Sequence, residues 1–302
     1  MTGALALGPV QFNWPAEQWR DFYLRIADEA PIDTVYLGEV VCAKRAPFFQ
    51  PHLAEVAERL AAGGKEVVHS TLALVMTEAE MDLVRELVAD ETLLVEANDL
   101  STISLLAGRR HVVGPFVNVY NEGTLVYLAA RGALRVSLPA ELSGEAIALI
   151  AEAVRDLDVE LEVQVFGRLP LAVSARCYHA RAFGLHKDGC QFVCGEDLDG
   201  LAADTLDGEA FLAINGTQVM SHSCCNLADD IAGLCDAGVG RFRLWPHSFD
   251  MVAVARVYRE LLDGELEVAA ADDRLNAIAG GLAMANGFYH GQEGRAWVGP
   301  AA

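Results

Sequence analysis

Basic residues are scarce in this chain. Its 22 Lys and Arg stand against 43 Asp and Glu, which gives a net charge of −21. Such a charge repels nucleic acid and anionic membrane surfaces unless a local basic patch overrides it, and the sequence shows no such patch. Neither class of partner is therefore expected.

Long apolar runs are also missing, although 53% of the residues are hydrophobic. None approaches the roughly 18 residues that a membrane span requires, so no span is expected. The N-terminal sequence, from Met1 to Pro9, lacks the basic stretch that opens a signal peptide. Together with an odd number of cysteines, seven, these features favour a cytoplasmic protein with reduced thiols over a disulfide framework.

Short β-rich runs alternate with amphipathic stretches, a pattern typical of βα units around a parallel sheet. A length of 302 residues suits a (β/α)8 TIM-type barrel, which takes about 250 residues plus insertions. We therefore predict one α/β domain over residues 1–302. The eight predicted strands are 5–10, 34–40, 66–73, 92–97, 111–119, 134–138, 160–166 and 241–246.

The regular alternation breaks between the seventh and eighth predicted strands. About 70 residues intervene there, far more than an ordinary crossover needs. We therefore predict an insertion at about 168–240 that carries function, followed by the eighth strand and a last helix at 251–262.

Four cysteines lie in polar, turn-rich sequence, and three of them form the series C-x12-C-x3-C. Soft metals prefer thiolates, and loops can direct several side chains to one point. The pattern predicts a metal or cluster site, in which a distant ligand ties the N-terminal half to the insertion. The predicted ligands are Cys42, Cys177, Cys190 and Cys194.

The other cysteines and the nearby histidines have ordinary interpretations. Cys235 lies in an apolar stretch, and Cys224 and Cys225 directly precede it, so all three are predicted not to be ligands. His179 and His186 lie in the cysteine segment and are alternative ligands, although solvated loop histidines are the favoured interpretation.

Polar residues follow several predicted strands, where parallel barrels build their sites. We predict that five of them line one cavity: Glu39, Glu96, Asn98, Asn118 and Arg176. Glu39, Glu96 and Arg176 are candidate catalytic residues, and Asn98, Asn118 and Arg176 are candidate substrate-binding residues. For the two glutamates an ion pair with Arg168, Arg176 or Lys44 is slightly favoured over catalysis, because buried carboxylates need a partner.

Five strings of the sequence are distinctive, and the most specific of them is Gly167-Arg-Leu-Pro-Leu-Ala-Val-Ser-Ala-Arg-Cys177. The others are Val35-Tyr-Leu-Gly-Glu-Val-Val-Cys-Ala-Lys-Arg45, Val95-Glu-Ala-Asn-Asp99, Gly114-Pro-Phe-Val-Asn-Val-Tyr-Asn121 and Asn286-Gly-Phe-Tyr-His-Gly291. Together they resemble the peptidase U32 family, and more narrowly its UbiV-like members of oxygen-independent ubiquinone biosynthesis. The resemblance extends over essentially the whole chain.

The resemblance implies one [4Fe-4S] cluster on the four cysteines named above. It also implies a UbiU-like paralogue as partner. The heterodimer of the two would hydroxylate prenylated phenol precursors of ubiquinone without O2. Prephenate is the oxygen donor implied for related hydroxylases, and Arg176, next to Cys177, is suited to hold its carboxylates. Proteolysis is a poor expectation despite the family's name.

Two alternatives remain open at this point. A cluster- or zinc-stabilised binding subunit would leave the chemistry to its partner, and a U32-type hydrolase would cleave its substrate. The cysteine series lacks the paired C-x2-C motifs of zinc ribbons, and no G-x-S-x-G motif supports a serine hydrolase.

Overall fold

The computed structural model describes residues 3–299, whose strands join into one sheet. The strands are β1 (Ala4–Leu7), β2 (Thr34–Leu37), β3 (Glu66–Ser70), β4 (Leu94–Ala97), β5 (His111–Val113), β6 (Ala133–Ser137), β7 (Glu160–Val173), β8 (Leu201–Asp204), β9 (Ala210–Asn215), β10 (Gln218–Asn226), β11 (Arg241–Leu244) and β12 (Met284–Ala285).

Strands β1–β7 and β11 close into a parallel barrel. β11 pairs with β1 on one side, where Ala4 lies opposite Arg241. On its other side it pairs with β7, where Phe242 lies opposite Val163. The predicted (β/α)8 fold is confirmed, although most strands end earlier than their apolar runs suggest.

Helices alternate with the barrel strands and cover the outside of the barrel. Thr77, Asn121 and Ser143, predicted as N-caps, each accept a backbone N–H of the helix that follows. Among the described residues, no helix is long and apolar enough to cross a membrane. The helices are α1 (Ala16–Glu29), α2 (Ala46–Ala62), α3 (Glu78–Ala89), α4 (Leu100–Leu105), α5 (Glu122–Ala129), α6 (Gly144–Val154), α7 (Tyr178–Ala182), α8 (Ile231–Ala237), α9 (Met251–Asp263) and α10 (Val268–Ile278).

The insertion is an extension of the barrel sheet. β7 continues past the barrel to Val173, because its second half pairs antiparallel with β10. β9 and β8 pair antiparallel beyond β10, and the cysteine segment lies between β7 and β8. The predicted end of the seventh strand at residue 166 is therefore wrong. The helix at 251–262 is also not the last one, because α10 follows it.

The barrel interior holds a buried charge network. The Arg243 guanidinium donates to Glu162 at 2.5 Å and to Glu96 at 2.6 Å, and it lies 3.9 Å above the Tyr36 ring. The Tyr36 hydroxyl donates to Glu162 at 2.8 Å. Glu96, Glu162, Tyr36 and Arg243 are all fully buried. Glu96 thus forms an ion pair, as predicted, but its partner is Arg243 rather than Arg168, Arg176 or Lys44.

We expect Arg243→Ala to lower the free energy of unfolding by about 3–5 kcal/mol, because it leaves Glu96 and Glu162 buried without a cation. Urea denaturation followed by circular dichroism measures this loss. Arg155→Ala is the control, since Arg155 pairs with Glu152 on the surface and its removal should leave stability almost unchanged. Similar midpoints for the two variants would contradict a stabilising role for the network.

Candidate functional site

Cys42 lies just after β2, in a segment fixed by Glu39. One carboxylate oxygen of Glu39 accepts the backbone N–H of Val41 at 2.7 Å and that of Cys42 at 2.9 Å. Burial raises the pKa of Glu39, whereas Arg45 and these backbone donors act in the opposite direction. The carboxylate therefore shapes the loop that presents Cys42.

The other three predicted ligands lie on short turns of the insertion. Cys177 caps α7, and its Sγ accepts the Ala180 N–H at 3.3 Å. Cys190 and Cys194 are joined by a tight loop in which Gln191 and Phe192 both have positive φ, 50° and 56°. Consecutive left-handed residues that are not glycine are strained, and such strain concentrates at functional sites.

Direct contacts join the Cys42 segment to the cysteine segment of the insertion. Lys44 Nζ donates to the carbonyl oxygens of Lys187 at 2.7 Å and Asp188 at 3.1 Å. The rings of Phe48 and Phe192 meet edge to face, with centroids 4.7 Å apart. Residues just after Cys42 thus touch residues on both sides of Cys190, although the two cysteines lie in different halves of the sequence.

Arg45 is the buried cation of this region and is 2% exposed. Its guanidinium donates to the Gln11 carbonyl oxygen at 2.7 Å and to Asn215 Oδ1 at 2.9 Å. Burial acts to lower the pKa of Arg45, but Glu39 and then the Cys194 and Cys42 thiols outweigh it and raise that pKa. Arg45 therefore lies close to cysteines from both halves of the chain.

The thiols also act on one another. Burial raises the pKa of Cys177, and the Cys194 and Cys190 thiols raise it further while Arg45 opposes them. Burial and Glu39 raise the pKa of Cys42, opposed by Arg45 and Lys187. Each predicted ligand thus lies within electrostatic range of another predicted ligand or of Arg45.

The predicted ligands are of the chemical type that iron–sulfur clusters use, since all four are cysteine sulfurs. Within residues 3–299, no group of three or more His, Cys, Asp or Glu side chains is placed to hold a metal ion. A cluster held by four thiolates is also anionic, and Arg45, Lys44 and Lys187 supply positive charge beside the cysteines.

The two histidines of the cysteine segment differ. His179 is fully buried, so the interpretation as a solvated loop residue is wrong for it. Its ring nitrogens lie 2.9 Å from Asp197 Oδ2 and 3.2 Å from the Ile214 carbonyl oxygen, which leaves neither free for a metal. His186 is exposed, as expected.

The remaining cysteines lie elsewhere. Cys224 and Cys225 are buried in β10, where burial raises the pKa of Cys224 to about 12 and also raises the pKa of Cys225 well above its usual range. Both therefore stay protonated thiols at neutral pH. Cys235 lies on α8. These positions are consistent with the prediction that none of the three is a ligand.

The expectation that five polar residues line one cavity is wrong. Glu39 lines a cavity between α2 and α3, whereas Asn118 lines a separate cavity of about 270 Å³ at the barrel mouth. Glu96 lies inside the barrel, and Asn98 is buried and donates to it at 3.1 Å. Arg176 is exposed next to Cys177. Of the five, only Glu39 and Arg176 therefore lie beside the cysteines.

Arg45 belongs to the site although the sequence did not single it out. A signal was present, because Arg45 follows the predicted ligand Cys42 by three residues. An arginine in such a string has a ready interpretation as a solvated charge. Only the fold brings it to Gln11 and Asn215 and buries it.

Fold and site together define a TIM-barrel protein with a cysteine-bearing extension of its sheet. The chain belongs to peptidase family U32, whose family model matches residues 18–299.

Comparison with solved structures gives distant likenesses. The spore cortex-lytic enzyme SleL of Bacillus cereus matches with a TM-score of 0.43 and 8% identity, over 88% of this chain and 75% of that one. The tryptophan synthase alpha subunit of Campylobacter jejuni matches with a TM-score of 0.43 and 9% identity, over 92% of this chain and 95% of that one. Likenesses at this level carry no argument about function.

Gly216 tests the position of Arg45, because a Cβ there would collide with Arg45 Nη2. We expect Gly216→Ala to lower the free energy of unfolding by about 1.5–3 kcal/mol more than the control Gly208→Ala does. This is the contribution of hydrogen bonds made by a charged group, and the displaced Arg45 guanidinium would lose such bonds. Both glycines have positive φ, 63° and 82°, but nothing lies within 4 Å of a Cβ at Gly208. Chemical denaturation of both variants measures the difference, and equal costs would show that Arg45 is not held there.

Proposed function

We propose that this chain is the [4Fe-4S] subunit of an oxygen-independent hydroxylase that acts on prenylated aromatic precursors of ubiquinone. In this proposal it works as a heterodimer with a UbiU-like paralogue, as its resemblance to UbiV-like members of family U32 implies. The observation that carries the proposal is the meeting of the Cys42 loop and the cysteine segment of the insertion around Arg45.

In this proposal the residues around Arg45 hold the cluster and compensate its charge. Cys42, Cys177, Cys190 and Cys194 are the cluster ligands, and Arg45 and Lys44 offset the negative charge of the ligated cluster. Bound there, a cluster supplies electrons that side chains cannot.

Arg176 serves the oxygen donor in this proposal. It is exposed beside Cys177, where its guanidinium is open to a carboxylate-bearing molecule such as prephenate. Glu96 has no direct role in catalysis, because Arg243, Ser70 and Asn98 already occupy its carboxylate.

Replacing any one of the four cysteines with Ala should bleach the protein, because a cubane that loses a thiolate ligand loses its hold on one iron atom. Iron and acid-labile sulfide analysis after anaerobic purification, with visible absorbance, measures the loss. Cys235→Ala is the matched control and should keep its full cluster content. A variant of Cys42, Cys177, Cys190 or Cys194 that keeps full iron and sulfide would remove that residue from the ligand set.

Co-expression with a UbiU-like paralogue should yield a 1:1 complex in size-exclusion chromatography with light scattering. Anaerobic hydroxylation of a prenylated phenol should require both chains, because the described cavities bring no complete catalytic constellation together beside the cysteines. Hydroxylation by this chain alone would contradict the heterodimer, and a complex without any hydroxylation would contradict the substrate.

A further inference from the structure

A cavity of about 340 Å³ separates α2 from α3 on the outside of the barrel. It exists because these two helices pack away from each other: α2 packs against α1, and α3 packs against α4. Its volume lies near the lower end of the range of about 300–1,000 Å³ typical of small-molecule sites. We call this cavity the α2–α3 groove.

Apolar side chains form most of the walls of the α2–α3 groove, and Gln50, His69, Glu86 and Asp90 add polar atoms to the lining. Phe49 and Leu53 contribute from α2, and Leu83, Val84 and Leu87 contribute from α3. Leu83 is 46% exposed, so about half of its apolar side chain is open to water in the free protein. A hydrocarbon ligand would remove this apolar surface from water.

The groove has a polar end at the barrel mouth. Because α2 runs back along the barrel from the carboxyl end of β2, its first residue, Ala46, lies at the mouth and Leu53 lies about 10 Å further down. The lining at the mouth end includes Glu39, Ser70 and Thr71, which are all buried. Glu39 is hydrogen-bonded to the Cys42 backbone at 2.9 Å, so this end borders the candidate cluster site.

We propose that the α2–α3 groove binds the hydrocarbon tail of the substrate, with the polar head group held at the Glu39 end beside Cys42. This inference rests on the proposed function for the class of substrate, a phenol that carries an isoprenoid chain. The groove itself supplies the two features that such a molecule needs: an apolar channel along two helices, and a polar terminus next to the proposed redox centre.

A narrow, flexible hydrocarbon chain fits a cavity of about 340 Å³. Such a chain needs no hydrogen-bond partner where Phe49 and Leu53 face Leu83 and Leu87. A helix of a partner protein is the competing occupant, and the binding experiment distinguishes the two.

Equilibrium dialysis of radiolabelled 2-farnesylphenol against the full-length chain tests the proposal. Leu83→Asp places a charge in the groove, and Leu83→Trp fills it without a charge. Each should weaken 2-farnesylphenol binding by about tenfold or more, because each removes the apolar room for the tail. Leu149→Asp is the matched control, since Leu149 is another exposed leucine of the outer helices, on α6, and its replacement should leave binding unchanged.

The contrary outcomes are distinct. Unchanged 2-farnesylphenol affinity in both Leu83 variants would overturn the groove as the tail site. An equal loss of affinity for unsubstituted phenol would also overturn it, because the groove would then hold the ring. Loss of the complex with the UbiU-like chain, with 2-farnesylphenol binding intact, would show a protein interface instead. Iron analysis of the same samples separates the two proposals, because tail binding by a chain that cannot hold a cluster would contradict only the proposed function.

Discussion

The buried guanidinium of Arg45 connects the parts of the chain from which the cysteines come. It bonds to Gln11 after β1 and to Asn215 at the end of β9, and it lies close to Cys42 and Cys194. Burying such a cation costs several kcal/mol unless it is paired and fully hydrogen-bonded. Glu39 supplies the countercharge here, so the arrangement that stabilises Arg45 also sets the position of the Cys42 loop relative to the insertion.

The barrel interior pairs its buried carboxylates with arginines, although Arg243 Nη1 has no hydrogen-bond partner among the described residues. Arg243 spans Glu96 and Glu162, and near the opposite end Arg135 bonds to Glu160 at 2.6 Å. Such pairing offsets part of the cost of burying these carboxylates. The predicted cluster ligands lie outside the barrel lumen, on the loop after β2 and in the extension that β7 and β10 form.

Patterns of one or two turns were readable from the sequence, and long-range pairings were not. The alternation of strands and helices gave the barrel, and Thr77 marked a helix start because a cap acts within one turn. The far half of β7 was missed because its partner, β10, lies dozens of residues away. α10 was missed because its sequence, rich in Ala and Asp, has a weak apolar stripe. At the site, the four cysteines could be recognised by residue type. The cation that acts on Glu39 could not, because only the fold brings Arg45 close to it.

Glu39 links the two halves of the proposed chemistry. One face of this residue fixes the backbone of Cys42, and another forms the polar end of the α2–α3 groove. A ligand bound at that end would therefore touch the same carboxylate that positions Cys42, a predicted cluster ligand. Since Glu39 and Arg45 attract each other, a shift of the carboxylate toward a head group would also act on Cys194. In the proposed site, substrate binding would thus change the electrostatics around the cysteines through Glu39 and Arg45, without any movement of the barrel.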